Sequence, residues 1–222
     1  MDFTSDDVLI SDMFTIRCGT VTLYKREKVL VISKPTLMAS LDGNLYPIVA
    51  YFLPEDCKEI DESLEDAAIR GTFEKTGVEG VLLPAHIVTT ATIPTAHEDS
   101  PSDRVTEPVA VSHRHQGEML NIIFWYIAEA TTSTIPQVVR KRGEVAKCFP
   151  VWLDFAQARR FLTWPNEWRI VDEAVSAVER GHSFDNQVAQ AAQAAELARI
   201  AQAALDLLAE EDARREQAMH TE

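Results

Sequence analysis

The stretch that most constrains this chain is Met119–Ala130, MLNIIFWYIAEA, which is apolar at odd and even positions alike. Successive strand residues point to opposite faces, so a strand with one wet face alternates apolar and polar side chains. A run without that alternation predicts a strand lying centrally in its sheet. Met13–Tyr24 does alternate and reads as a half-buried strand, with Lys28–Ser33 as its hairpin partner across the charged turn Lys25–Glu27. Asp42-Gly43-Asn44 is a turn signal, and Tyr46–Leu53 beyond it is a further strand. Val81–Leu83, His86–Ala91, Pro108–Ser112 and Ala146–Leu153 are the remaining expected strands.

Helices are expected at three places before the C-terminal tail. Ser63 with Asp66 three residues on is a helix start close to a capping box, and Gly77 is the matching stop. Leu64, Ala67, Ala68 and Phe73 supply the apolar stripe between them. Phe155–Leu162 and Glu167–Val178 are the other two. Strands, a helix, more strands and terminal helices make a mixed α+β domain. No glycine-rich loop follows the first strand, which excludes dinucleotide-binding and P-loop readings.

Lys and Arg number 21 against 35 Asp and Glu, a formal charge of -14. Such a field argues against nucleic acid or an anionic membrane as the main partner, since both recruit positive surfaces. No apolar run is long enough to span a bilayer. The opening MDFTSDDVLISDMF carries acids where a signal peptide carries basic residues. Cys18, Cys57 and Cys148 fit neither a disulfide framework nor a zinc site, so a cytoplasmic location is expected. We divide the chain into an N-terminal arm (1–12), a folded domain (13–180) and an Ala-rich C-terminal helix (181–222). In that helix Leu197, Ala201, Ala204 and Leu208 form a thin apolar stripe. The readings that stay open for it are a helix packing on its own domain or a partially frayed tail, and a homodimer through the C-terminal helix.

The segment Leu53–Val78, LPEDCKEIDESLEDAAIRGTFEKTGV, resembles the Nudix box G-x5-E-x7-R-E-U-x-E-E-x-G-U, where U is apolar. Glu62, Arg70, Glu74, Gly77 and Val78 fall on matching positions, and Leu53, Pro54, Ser63, Leu64, Ala67 and Ala68 match the usual surroundings. The resemblance covers roughly residues 13–180. It implies a Nudix fold, an α/β/α sandwich around a mixed sheet, to which this chain adds a long C-terminal helix. It also implies Mg2+- or Mn2+-dependent hydrolysis of a diphosphate by carboxylates converging on one helix face.

That face is degraded here. The box helix reads Arg70-Gly71-Thr72-Phe73-Glu74-Lys75, so one acid of the family pattern has become Gly71 and another Lys75. The box glycine has become Asp56, and a glycine common before the first glutamate has become Asp61. Glu55, Asp56, Glu59, Asp61 and Glu62 then share one loop with the single Lys58, which predicts a region that repels a diphosphate. Residual metal ligands would be Glu62 and Glu74.

The expected function is therefore a repurposed cleft, in which metal-independent acid/base chemistry isomerises or cyclises a small organic metabolite without a required cofactor. Candidate catalytic groups are Glu62, Glu74, Glu107 and His113. Carboxylates against apolar walls have raised pKa values, histidine titrates near neutrality, and an acid outside the box often serves Nudix enzymes as ligand or base. His86, His97 and His115 are neighbouring histidines, and Arg140-Lys141-Arg142 is the one basic cluster. Two alternatives accompany this reading: a weak Mg2+- or Mn2+-dependent diphosphohydrolase, and a non-catalytic Nudix-fold binding protein.

Overall fold

The strand Met119–Ala130, β7, lies inside its sheet as its composition requires. We describe the protein from a computed structural model, covering residues 9–39, 44–88, 104–131, 148–183, 185–187, 189, 190, 193 and 199. On one side β7 pairs in parallel with β1 (Phe14–Tyr24), from Phe14 opposite Leu120 to Leu23 opposite Glu129. On the other it pairs antiparallel with β5 (Gly80–Leu82) and β6 (Ala110–Gln116). β2 (Lys28–Ala39) and β3 (Leu45–Phe52) continue the sheet beyond β1. β4 (Glu55–Cys57) pairs with β1, and β8 (Phe149–Asp154) with β2.

β7 works as two half-strands back to back. Ile123, Trp125 and Ile127 join Val21, Leu23 and Val31 in the larger core, with Val171 and Ala174 from a C-terminal helix. Cys18 and Tyr126 face the other way, with Phe124 beside them, onto Ala67 and Ala68 of α1 (Leu64–Thr76). Burying one strand on both faces explains its unbroken apolar run. Helices on both faces of a mixed sheet give the α+β sandwich that the resemblance implies.

Several expectations shift. The acidic stretch read as a loop opens with the short strand β4, paired to β1, and the strand expected at Pro108–Ser112 is β6, Ala110–Gln116, which follows β7 to its start at Met119. β2 runs on to Ala39, through Pro35, because β8 covers it only from Lys28 to Ser33 and the missing N–H of proline leaves no bond unmade beyond that point. His86–Val88 form no strand, since β5 and β6 already occupy that side of β7; Ala85 instead makes an isolated bridge to Val105. Residues 89–91 of that expected strand lie outside the described residues.

The chain divides into two units, 1–178 and 179–222. The first closes with α2 (Phe155–Phe161), capped by a reciprocal box between Asp154 and Gln157, and with a helix α3, residues 165–178 within this unit. In the second unit residues 179–183 and 185–187 are helical. The stripe Leu197, Ala201, Ala204 and Leu208 lies outside the described residues, as do His97 and Arg140–Arg142. Among the described residues no helix is long and apolar enough to cross a membrane.

Candidate functional site

The box helix starts and stops where its sequence says. Ser63 Oγ accepts from Asp66 N at 3.0 Å, and Gly77 closes the helix at φ 66° with its N–H on Phe73 O. Its inner face is Ala67, Ala68, Gly71, Thr72 and Thr76, whereas Phe73 is exposed, contrary to the expected stripe. Gly71 and Thr72 lie one turn beyond Ala67 and Ala68, so they continue the buried face and Phe73 falls outside it. A polar seam docks the helix. Thr72 Oγ1 lies 2.7 Å from Thr20 Oγ1, which lies 2.6 Å from Thr22 Oγ1, all buried.

The charges of the box close on one another. Arg70 Nε donates to Glu62 Oε1 at 2.7 Å and Arg70 Nη2 to Glu62 Oε2 at 2.9 Å, a bidentate clasp. Glu59 N adds a bond to Glu62 Oε2, and Arg70 also reaches Glu74 Oε2 at 3.4 Å and Cys57 O at 2.9 Å. The Arg70 hydrogen bonds hold the Glu62 carboxyl down at about 2, against the expectation of a raised value. Glu62 is thereby fixed as an anion and makes a poor proton donor.

The three departures around Asp56 touch one another. Lys75 Nζ pairs with Asp56 Oδ2 at 3.0 Å. A Cβ placed on Gly71 would meet Asp56 Cβ at 2.8 Å, so the Asp56 side chain occupies the space a residue 71 side chain would need. Asp61 takes the left-handed conformation, φ 60°, that the family's glycine would suit. The loop is also less repulsive than its composition suggests. Glu55, Asp56, Glu59 and Glu62 all sit in ion pairs, with Arg17 and Arg114, Lys75, and Arg70 respectively.

A divalent cation does not fit these donors. Both Glu62 oxygens are taken by Arg70, Glu74 leans on the same guanidinium, and the Lys75 ammonium already supplies the positive charge beside Asp56. Among the described residues, no group of three His, Cys, Asp or Glu side chains is arranged to hold a metal.

The opposite face of the sheet is built differently. A cavity of about 340 Å³ opens between β6, β7 and the start of α3, with Ile123, Trp125, Trp164 and Ile170 as apolar wall and Arg114 and Glu167 as charged wall. Trp125 is held by its Nε1–H bond to Ser112 Oγ at 2.8 Å. Gly19 leaves room for that ring: a Cβ there would come within 2.5 Å of it. Glu167 is only 4% exposed. Its position follows from the segment before it, which is stitched to β3: Thr163 N bonds Tyr51 O, Tyr51 N bonds Thr163 Oγ1, and Leu53 N bonds Glu167 Oε2 at 3.1 Å. Burial pushes the Glu167 carboxyl up to about 7, against the opposing pull of the Leu53 bond and Arg114.

Around that carboxyl lies a small charge network. Glu55, almost fully buried on β4, is shared by two guanidinia: Arg17 Nε at 3.2 Å on Oε2, and Arg114 Nη2 on Oε1. Burial, and then Arg17, lower the pKa of Arg114. Arg17 also donates to Cys57 Sγ at 2.9 Å.

Of the candidates from the sequence, Glu62 and Glu74 come together on Arg70, whereas His113 is exposed on β6 at the rim of the cavity and does not join them. His113 and His115 share a strand face, as their alternation implies, but it is the exposed one, opposite the face on which Ser112 and Arg114 line the cavity. Glu107 is exposed before β6, and its charge adds to the burial and the Glu65 charge that raise the pKa of Tyr126. Glu167, Arg114 and Glu55 were not among the candidates. One signal was present for Glu167: it occupies the buried stripe Glu167, Ile170, Val171, Ala174, where a helix normally places an apolar residue.

No family model matches the chain, and no curated protein does. Solved structures do. A NUDIX hydrolase from Nitrosomonas europaea is 14% identical, with 74% of this chain and 90% of that chain covered and a TM-score of 0.46. A C. elegans Ap4A hydrolase binary complex is 12% identical, covering 75% and 98%, at 0.48. A NUDIX family hydrolase from Clostridium perfringens is 17% identical, covering 75% and 98%, at 0.45. At these values the functional reading rests on the side chains described above and not on the likeness.

Proposed function

We propose that this chain is a Nudix-fold protein whose cation site has become a set of internal ion pairs, and that it carries out metal-independent acid/base transformation of a small organic metabolite in the cavity beside Glu167. Isomerisation and cyclisation are the reactions in view. One observation carries the reading: a carboxyl, buried in the wall of an apolar cavity, with its pKa raised to about 7.

An acid near that value is populated in both forms at neutral pH, which is what a general acid/base group requires. Protonated Glu167 gives its proton to an oxygen or alkene carbon of the substrate. The resulting carboxylate takes a proton from a neighbouring atom, so the group returns to its starting form and no co-reactant is consumed. Leu53 N holds Oε2 in place through the cycle, and Trp125 and Trp164 keep the reacting atoms among apolar walls. This moves the acid/base role expected of Glu62 and Glu74 onto Glu167. The two box acids instead brace Arg70.

Incubation of the protein with a small-metabolite extract in D2O tests the reading by mass spectrometry. The expected result is solvent deuterium entering one metabolite without added metal, and loss of that incorporation in Glu167→Gln. Incorporation untouched by Glu167→Gln would contradict it. So would the absence of any incorporation, which favours the non-catalytic binding protein, or phosphate release from diphosphates on adding Mn2+, which favours the residual hydrolase.

A further inference from the structure

The charge inventory of the cavity narrows what enters it. Over the whole chain acids outnumber bases to a net -14. The cavity wall runs the other way. Arg17 and Arg114 share the one carboxylate of Glu55, and the remaining acid is Glu167. When Glu167 is protonated one positive charge is uncompensated, and when it is ionised none is. The Arg114 side chain is 39% exposed, reaches the cavity wall, and has N–H donors beyond the one that Glu55 takes.

We infer that the cavity binds a small monocarboxylate: a ligand with an aromatic or otherwise apolar body, seated against Trp125, Trp164 and Ile170, and one carboxylate on Arg114. This rests on the cavity being the site proposed above and names its substrate class. Three physical points select that class. One uncompensated charge matches one carboxylate, and the fork of a guanidinium matches its two oxygens. A diphosphate would bring several negative charges beside Glu55 and Glu167 against the single spare positive charge of Arg17 and Arg114. A neutral ligand would leave the guanidinium's spare charge desolvated and unmet. The volume, about 340 Å³, is at the small end of ligand pockets and suits a mono- or bicyclic body.

Binding is then linked to Glu167. A carboxylate ligand favours the protonated form, so affinity rises as pH falls through neutrality. Other titratable and charged groups border this region: Arg114 on β6, with His113 and His115 at the rim and their exposed side chains on the strand's other face, Arg17 on β1, Glu55 on β4, and Arg169 and Glu173 on α3, which line an adjoining cavity. The Glu167 part of this dependence is isolated by comparing wild type with Glu167→Gln.

Fluorescence titration of the wild-type protein with 1-naphthoate, its neutral amide 1-naphthamide, phosphate and pyrophosphate tests the inference. At pH 6 naphthoate should bind about tenfold more tightly than naphthamide, the size of one charge-assisted contact. Raising the pH to 8 should weaken naphthoate and leave naphthamide unchanged, and Glu167→Gln should remove most of that pH dependence. Arg114→Gln should erase the preference while keeping naphthamide binding. Should that variant misfold, Arg114→Lys keeps the charge without the fork and should retain only part of the preference. Equal binding of acid and amide overturns the inference, as does tighter binding of phosphate or pyrophosphate. Neither result depends on turnover, so absence of deuterium incorporation by the wild-type protein, or incorporation untouched by Glu167→Gln, with intact naphthoate preference would refute the acid/base reading and leave this one standing.

Discussion

The two faces of the sheet hold their charges in opposite ways. On the α1 face the box charges close on one another: Glu62 and Glu74 on Arg70, Asp56 on Lys75. On the α3 face a buried acid is held by a backbone N–H at the wall of a cavity, and two guanidinia share one carboxylate. The first arrangement locks ionisation states and the second leaves one adjustable. A motif can therefore keep its helix, its caps and its arginine while its charges turn to holding the fold together. The titratable group then has to be sought across the strand, on the side where no motif is written.

The sharpest way to break this comparison is to rebuild the cation site. The sequence alone suggests that Gly71→Glu with Lys75→Glu would restore it. The structure predicts otherwise: that pair of changes drives a side chain into Asp56, removes the cation facing it, and adds two acids to the same spot. We expect a loss of roughly 2–4 kcal/mol in urea unfolding and no Mn2+ binding by calorimetry. Adding Asp56→Gly should recover stability and create the Mn2+ site. Tight Mn2+ binding by the double variant would show that the three positions are not coupled.

A second contrast lies in pH dependence. Glu167 has its folded pKa raised from 4.5 to about 7, so its contribution is full below the unfolded value and is lost as pH rises through that window, by about 3 kcal/mol. Glu62 has its folded pKa lowered to about 2, so its contribution is full above 4.5 and is lost as pH falls. The two faces together predict a stability maximum near the shared unfolded value, about pH 4.5. Unfolding midpoints measured across pH should show it, and Glu167→Gln should flatten the alkaline side alone. A wild-type curve that rises steadily to pH 8 would contradict the burial argument.

The smallest expected effect is at Asp61, whose φ of 60° glycine adopts more readily. Asp61→Gly should stabilise the protein by roughly 0.5 kcal/mol, partly offset by the greater freedom of the unfolded chain. A loss exceeding about 1 kcal/mol would mean that the Asp61 side chain holds the loop.

The fold was largely legible because it is set by local signals. Ser63 and Gly77 bounded the box helix, and the unbroken apolar run of β7 required cover on both faces. The site was legible only as a departure from a pattern. Gly71, Lys75 and Asp56 each read as a loss, and their mutual contact is a matter of tertiary distance that spacing does not report. Glu62 read as an acid with a raised pKa because its distance to the Arg70 guanidinium is invisible in one dimension. Glu167 left a trace as an acid on an apolar stripe, but Leu53 N and the cavity that give it meaning come from other elements.

Glu167 is proposed as a buried carboxyl that exchanges a proton near neutral pH, well above the range of solvated carboxyls. A 13C NMR titration of glutamate side-chain carboxyls in the intact protein measures this directly. The account predicts one glutamate with a midpoint near 7 that disappears in Glu167→Gln. A titration in which every glutamate has its midpoint below about 5, as solvated carboxyls do, would contradict it.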